Sequence, residues 1–304
     1  MIAGATLDWL LGEPRRWHPL IGFGKCVRRL ELLLHPSVRA GIVRARCRGS
    51  IALLLAVVPA TAVTTWNIES SPRTGLALQI SLLYLALGYR SLYQHAMPVA
   101  DALSRDDLGA ARQRVGQMVS RDTAAMRPVE VAHAAVESVL ENGNDAVFAA
   151  LFWFALAGAP GALLYRLINT LDAMWGYRTP RYLSFGWAAA RCDDAMNFIS
   201  ARLTALSYAL LRRFGDAWRC WQVQGTQWES PNAGPVMAAG AGSLHLRLGG
   251  PALYHGYWKL RPPLGQSEDP QARDIPRALR LVARGILLWL AAVACSPGRR
   301  LLDL

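Results

Sequence analysis

The stretch Ala146 to Ile168 is apolar enough to enter a bilayer, and the residues just before it, E-S-V-L-E-N-G-N-D from Glu137 to Asp145, carry acid after acid. His133, Glu137, Glu141 and Asp145 recur every four residues, so a helix lines them up on one stripe. Like charges at that spacing repel, and a fold keeps them where a cation or a cationic ligand offsets the repulsion. An acidic stripe at the mouth of a membrane segment marks a site. The plain alternative is a wet helical face paired with Arg121 or Arg127. The apolar segment also carries its own constraint: A-G-A-P-G at residues 157 to 161 breaks a helix after only 11 residues. A straight span needs about 20 residues. A single crossing would also place Arg166, Arg178, Arg181 and Arg191 outside. A bent or re-entrant hairpin returning to the cytoplasmic side is therefore expected, since irregular backbone at depth survives when it lines a cavity.

Composition agrees with lipid contact. The hydrophobic fraction is 53% and the charged fraction 18%, whereas soluble domains have about 25% charged residues. The mean hydropathy of +0.18 leaves room for substantial polar parts. Net charge is +12, and only Lys25 and Lys259 are lysines. Arginine suits phosphate and carboxylate recognition and also anchors cytoplasmic loops. The arginines lack an aromatic-basic motif, so no nucleic-acid partner is expected. Five scattered cysteines show no metal spacing and read as reduced thiols. The N-terminal stretch lacks the pattern of a secretory signal.

Along the chain, Ile51–Thr65 and Thr74–Leu92 read as two spans joined by an outer W-N-I-E-S-S-P-R turn, with the arginines at 44, 46 and 48 marking the cytoplasmic end. Residues 98 to 141 read as water-facing, with a helix over 101–119. An amphipathic helix is expected over 199–219, then a Gly/Pro/Ser-rich loop through S-P-N-A-G, A-G-A-G-S and L-G-G-P. A last apolar helix covers 279–295, its orientation left open by Arg280 and Arg284 before it and Arg299 and Arg300 after it. The fold expected is all-α, a polytopic integral membrane protein of one domain, with amphipathic cytoplasmic helices and a re-entrant hairpin.

Four polar clusters interrupt the apolar background: Asp8, Glu13 and His18 near the start; Arg121 and Asp122 with the acidic stripe; Asn169 and Asp172 leading to A-A-R-C-D-D-A-M-N; and Asn232 in S-P-N-A-G. Asp193, Asp194 and Asn197 can hold a Mg²⁺ that carries phosphate, while Arg191 and Arg202 grip the same phosphate. The plain alternative is a solvated helix start whose acids favour the N-terminal dipole. His18 reads equally as an interfacial histidine, and Tyr165, Trp153, Trp175 and Trp187 as interface anchors. Asn232 is ordinary turn chemistry by itself. The chain has no G-x-x-x-x-G-K-[ST] loop, so a nucleotide would be held through Mg²⁺ and arginines.

In this order, D-W-L-L-G-E-P…H-P-L-I-G-F-G, V-S-R-D-T, E-S-V-L-E-N-G-N-D, N-T-L-D-A-M-W-G-Y, A-A-R-C-D-D-A-M-N-F-I-S-A-R-L-T-A and S-P-N-A-G with L-G-G…Y-H-G resemble the membrane-bound adenosylcobinamide-phosphate synthase family (CobD/CbiB) of cobalamin biosynthesis. The resemblance covers nearly the whole chain. It implies an ATP- and Mg²⁺-dependent amide ligase of the bacterial inner membrane with its site facing the cytoplasm. The substrates it implies are the corrinoid adenosylcobyric acid and aminopropanol phosphate or aminopropanol, and it admits a complex with other membrane proteins of the pathway.

Within that reaction, Glu137, Glu141, Asp145 and Asp194 are the expected catalytic acids. Glu141, Asp193 and Asp194 are the expected metal ligands. Arg121, Asp122, Asn142, Asn169, Asp172, Arg191, Asn197, Arg202 and Asn232 are the expected substrate and phosphate contacts. Two departures from the family pattern stand out. The opening is shorter and less apolar, so a first span is expected to be missing or the start displaced. The acidic stretch ends N-G-N-D, where Gly143 loosens the helix by up to about 1 kcal/mol relative to alanine. Competing readings are an all-helical prenyltransferase holding Mg²⁺-diphosphate at D-D-x-x-N, which predicts a second acidic motif, and a transporter or non-catalytic regulator. A transporter carries its charges inside spans, and a regulator is free to lose the acids present here.

Overall fold

The computed structural model describes residues 1–14, 19–35, 41–254 and 256–295, with the side chains of 72 and 73 excepted. His18, His255, Arg299 and Arg300 lie outside the described residues. Among those described, four helices are long and apolar enough to cross a membrane: Ile42–Ser70, Thr74–Ser104, Pro128–Trp175 and Asp274–Cys295. The protein is an all-α polytopic membrane protein with a small β-ribbon region. Its chain groups into two compact units, one of residues 1–88 with 149–198, the other of 89–148 with 199–304.

The first unit contains α1 (Ile2–Leu11), α2 (Pro19–Leu34), α3 (Ile42–Ser70), α4 (Pro72–Ala86), α8 (Ala149–Trp175) and the start of α9 (Trp187–Leu211). Its core joins Val27, Leu53, Val57, Leu171, Trp175 and Phe185. Glu31 is the buried acid of α2; it accepts from Arg181 at 2.7 Å, Tyr182 at 3.1 Å and Trp175 at 3.2 Å. The outer turn is far shorter than the eight residues read from sequence: α3 stays helical through Ser70 and α4 begins at Pro72, with Ser71 extended between them. Proline at the first helical position needs no N–H partner, so the reversal occupies a single residue.

α8 is bent, as its A-G-A-P-G run demands. Ala157 and Gly158 leave helical torsions, and Gly158 takes φ +62°. A Cβ on Gly161 would stand 2.6 Å from the Trp153 carbonyl, whereas eight residues of straight helix rise about 12 Å. The chain folds back on itself here. Tyr165 and Trp175 are not interface anchors, since both are fully buried, while half-buried Trp153 donates to the Met196 carbonyl at 3.0 Å. Trp187 is exposed, with Arg46 5.0 Å from its ring.

The second unit holds α5 (Tyr89–Ser104), α6 (Leu108–Val115), α7 (Pro128–Gly143), the end of α9, α10 (Phe214–Gln224), α11 (Ala233–Leu244) and α12 (Asp274–Cys295). Several expectations change here. The second span is interrupted at Leu87–Gly88, where Leu87 is extended. The expected 101–119 helix is two pieces: Asp106 turns at φ +56°, and Asp107 caps α6 by accepting from the Ala110 N–H. The amphipathic 199–219 helix is likewise cut, because Arg213 adopts φ +33° between α9 and α10. Far from being water-facing, α7 is buried along most of its length.

The largest departure is α11. Its A-G-P-V-M-A-A-G-A-G-S-L sequence reads as loop, yet every residue from Ala233 to Leu244 is buried. Glycine disfavours an isolated helix, but here it permits close approach. A Cβ on Gly240 would meet the Leu140 side chain at 2.7 Å, and one on Gly242 the Asp216 carbonyl at 2.7 Å and Ala217 Cα at 2.8 Å. Four short strands complete this unit: β1 (Arg247–Gly249) pairs antiparallel with β4 (Pro263–Gly265), and β2 (Ala252–Tyr254) with β3 (Tyr257–Lys259).

Gly242→Val is expected to cost about 2–3 kcal/mol by overpacking against backbone that cannot rotate away. Thermal unfolding of the detergent-purified protein measures it, and an unchanged melting temperature would contradict the packing described.

Candidate functional site

The expected site residues gather into two clusters, one in each compact unit. In the second unit the centre is Glu137 on α7, whose side chain is 1% exposed. It pairs with Arg121 and with Arg261 at 3.0 Å, and accepts the Gly249 N–H at 2.6 Å. It is therefore not on a wet face, and Arg127 pairs instead with Glu130 at 3.0 Å. Gly249 sits at φ +76°, where a Cβ would also stand 2.2 Å from the Pro262 carbonyl, so only glycine brings its N–H to the carboxylate. Arg261 donates in addition to the Gly250 carbonyl at 2.9 Å. Asp122 accepts the Gly256 N–H at 2.6 Å while its own N–H donates to the Leu253 carbonyl at 3.0 Å. The R-D-T motif thus clips the β2–β3 hairpin and hands one arginine to Glu137.

Beside this network lies a cavity of about 470 Å³, lined by Arg121, Arg127, Arg247 and Arg261 and by the Gly249–Ala252 backbone. Asp122, Glu130 and Asp269 line it as well. Each guanidinium already has an acidic partner: Glu137 for Arg121 and Arg261, Glu130 for Arg127 and Asp269 for Arg247. A ligand bearing phosphate or carboxylate would share these forks. At its rim His133 lies 3.4 Å from Asp269, which also accepts from Arg247 at 2.8 Å. Arg261, Gly249 and Asp269 escaped the sequence reading. The L-G-G pair was the available signal for Gly249; nothing local distinguishes Arg261 from other arginines.

Glu141 follows Glu137 by one turn and feels the charges of Glu137, Arg121 and Arg261. Among the described residues its carboxylate makes no hydrogen bond or ion pair, while its carbonyl accepts the Asn144 N–H. Asn142 folds back to the Ser138 carbonyl at 2.9 Å. Past Gly143 the helix widens into a π turn over Asn144–Phe148. That turn takes Asp145 off the α-helical stripe, and Asp145 accepts from Asn144 at 2.9 Å. Asn144 in turn accepts from Thr204 at 3.1 Å. A Cβ at Gly143 would lie 2.3 Å from the Tyr208 hydroxyl, so this glycine admits the crossing of α9. Asn232 is buried rather than a surface turn residue, and accepts from Arg202 at 2.7 Å.

In the first unit, Asn169 and Asp172 of α8 meet Asp193, Asp194 and Asn197 of α9. Asp193 accepts from Asn169 at 3.2 Å and Asn197 at 3.1 Å, and Tyr165 donates to Asn197 at 3.1 Å. Asp172 lies within electrostatic reach of both aspartates. Arg191 stands 3.9 Å from Asp194. Because α9 begins at Trp187, the aspartates sit well inside it, so stabilising the helix start does not account for them. Burial pushes the Asp193 carboxyl up to about 6, and the charge of Asp194 adds to the shift against the two amide hydrogen bonds. Burial likewise raises Asp194, with Arg191 and Arg178 opposing.

Among the described residues no three His, Cys, Asp or Glu side chains form a ready metal cage. The residues present nonetheless fit a Mg²⁺ that arrives with phosphate, since that ion keeps several waters and needs one or two carboxylates. Arg166 adds an anion-side observation. It reaches Asn169 at 3.3 Å, while its buried Nε has no partner among the described residues. Each such orphaned donor costs about 1–3 kcal/mol unless a ligand satisfies it.

With this geometry in place, comparison with known proteins decides the lineage. A family model described as CobD/Cbib protein matches residues 1–282. The chain belongs to the CobD/CbiB family. Proteins named cobalamin biosynthesis protein CobD are 56% identical in Chromobacterium violaceum (94% of this chain, 92% of the relative) and in Stutzerimonas stutzeri (95% and 94%). A protein of that name from Mycobacterium tuberculosis is 39% identical over 92% of this chain and 90% of its own length. No solved structure matches. As a CobD/CbiB protein the chain has a role in cobalamin biosynthesis.

Two substitutions separate the clusters. Glu137→Ala leaves Arg121 and Arg261 buried without their counter-ion and is expected to cost roughly 3–5 kcal/mol. Asp193→Asn should do the opposite. A carboxyl whose folded value is raised from 3.8 to about 6 favours the protonated fold, so stability falls as pH rises between those two values and is level above about 6. The asparagine variant should therefore melt higher than wild type at pH 8, by roughly 2–3 kcal/mol, and converge with it only below the unfolded value of 3.8. Melting curves in the two pH ranges check both signs.

Proposed function

We propose that this chain is an adenosylcobinamide-phosphate synthase. It would join aminopropanol phosphate, or aminopropanol, to the free propionate carboxylate of adenosylcobyric acid with consumption of ATP. The observation that carries this reading is the presence, in a CobD/CbiB chain, of two chemically distinct polar clusters, one rich in guanidinium and one in carboxylate and amide. Phosphoryl transfer to the propionate oxygen makes an acyl phosphate and ADP. Attack by the amine nitrogen then forms the amide and releases phosphate. An ammonium cannot attack until it loses a proton, so a base must stand near the arriving amine.

The hydrogen-bond pattern narrows that base. Glu137 is engaged by two arginines and a backbone N–H, and its role is to position the arginine forks. Asp145 is held by Asn144. Glu141 keeps its carboxylate oxygens free of hydrogen bonds among the described residues and is assigned as the base. Arg121 and Arg261, facing the cavity, would bind the phosphate or carboxylate that the substrates carry. Arg166, Asn169 and Asn197 would orient the nucleotide phosphates.

Mg²⁺ would be held by Asp193 and Asp194 with Asp172 nearby, and when bound it neutralises phosphate charge for the transfer. The arginine-rich polar segments support a site on the cytoplasmic face of the inner membrane. A complex with other membrane enzymes of the pathway would shorten the path of an apolar-face corrinoid between steps.

The test is an assay of the detergent-purified protein with adenosylcobyric acid, aminopropanol phosphate, ATP and Mg²⁺, followed by mass spectrometry. Product carrying the aminopropanol phosphate mass is expected. Glu141→Gln should lower kcat by about 10²-fold or more with corrinoid binding kept. Asp194→Ala should raise the Mg²⁺-ATP requirement. A folded, corrinoid-binding protein that forms no amide with either amine would refute the assignment.

A further inference from the structure

Away from the cavity and the aspartate cluster, a third polar feature of the second unit is left over. α12 is long and apolar enough to cross a membrane, yet Arg277, Arg280 and Arg284 lie in its first turns at helical spacings of three, four and seven. Those spacings put them on one face. Arg212, at the end of α9, joins them, and the four line a cavity of about 200 Å³ together with Leu281. That is several times the roughly 30 Å³ share of one liquid water.

The local charge is not balanced from within. Arg277 pairs with Asp274 and also donates to the Leu244 carbonyl at 2.9 Å. Arg280 reaches only the Pro276 carbonyl, at 3.2 Å. Arg212 and Arg284 have no acidic partner among the described residues, and the nearby Asp216 is taken by Arg213 at 3.4 Å. Burial, then the positive charges of Arg277, Arg284, Arg213 and Arg280, hold Arg212 below its ordinary value. Arginines that serve only to anchor a span end spread into water. Four converging on one cavity repel each other unless an anion sits among them.

We propose that Arg212, Arg277, Arg280 and Arg284 bind the phosphate headgroup of an anionic membrane lipid. Phosphate matches the guanidinium forks, and basic pockets beside spanning helices hold such headgroups. A lipid is favoured over free phosphate by what lies next along α12. Leu287, Leu288 and Val293 are exposed at 67%, 37% and 39%, an apolar surface on which acyl chains can lie while the phosphate stays among the arginines.

The full chain, delipidated in dodecyl maltoside, is titrated with phosphatidylglycerol, phosphatidylcholine or inorganic phosphate, with adducts read by native mass spectrometry and stability by melting temperature. Phosphatidylglycerol is expected to remain bound and raise the melting temperature, with phosphatidylcholine and inorganic phosphate ineffective. Arg280→Gln/Arg284→Gln, both surface changes, should weaken phosphatidylglycerol about tenfold or more. Arg219→Gln, an exposed arginine elsewhere in the unit, should leave it unchanged. Equal binding of the two lipids, full binding by the double variant, or protection by inorganic phosphate alone would each overturn the proposal.

Discussion

One buried carboxylate organises the second unit. Glu137 collects Arg121 from the R-D-T stretch, Arg261 from beyond β3 and the N–H of Gly249 from β1. An ion pair of this kind contributes little net stability over a well-packed apolar substitute, because desolvation offsets most of the attraction. Its effect is geometric. Two guanidinium groups that would otherwise swing in water are fixed at a cavity wall. The short strands exist to deliver the pieces: without the β1–β4 pairing, Gly249 and Arg261 would not meet α7 together.

The two clusters suit opposite charges. The arginine cavity offers donors and positive charge. The Asp172–Asp193–Asp194 group offers carboxylate oxygens, with Asp193 held partly against ionisation chiefly by burial and in addition by the charge of Asp194. Amide ligation at the cost of a nucleotide requires both: donors for phosphate and carboxylate, and ligands for a cation that carries phosphate.

Much of this was legible in the chain. Helical periodicity places Asp193 beside Asn197, four residues on, and Asn169 beside Asp172, three on; the Asn169–Asp193 hydrogen bond between helices is what joins the pairs. The A-G-A-P-G break was visible because proline and glycine act through local sterics. What escaped depended on tertiary packing. α11 looked like loop because glycine and alanine signal flexibility in isolation; that they instead let Gly240 sit against Leu140 and Gly242 against Ala217 is a property of the neighbours. The helix breaks at Asp106 and Arg213 were missed because non-glycine residues seldom adopt positive φ. The counter-ions of Glu137 were half found: Arg121 was named, but Arg261 lies 124 residues away in sequence, and long-range pairing leaves no local trace.

The corner at Gly158 has a wider consequence for sidedness. Hydropathy counts Pro128–Trp175 as one candidate span, and one span exchanges the compartments of everything before and after it. A segment that doubles back at residue 158 contributes an even number of traversals, so the residues on either side of it share a compartment. The odd–even tally of the whole chain, and with it the side on which α12 begins, therefore turns on the backbone torsions of two adjacent residues, Ala157 and Gly158.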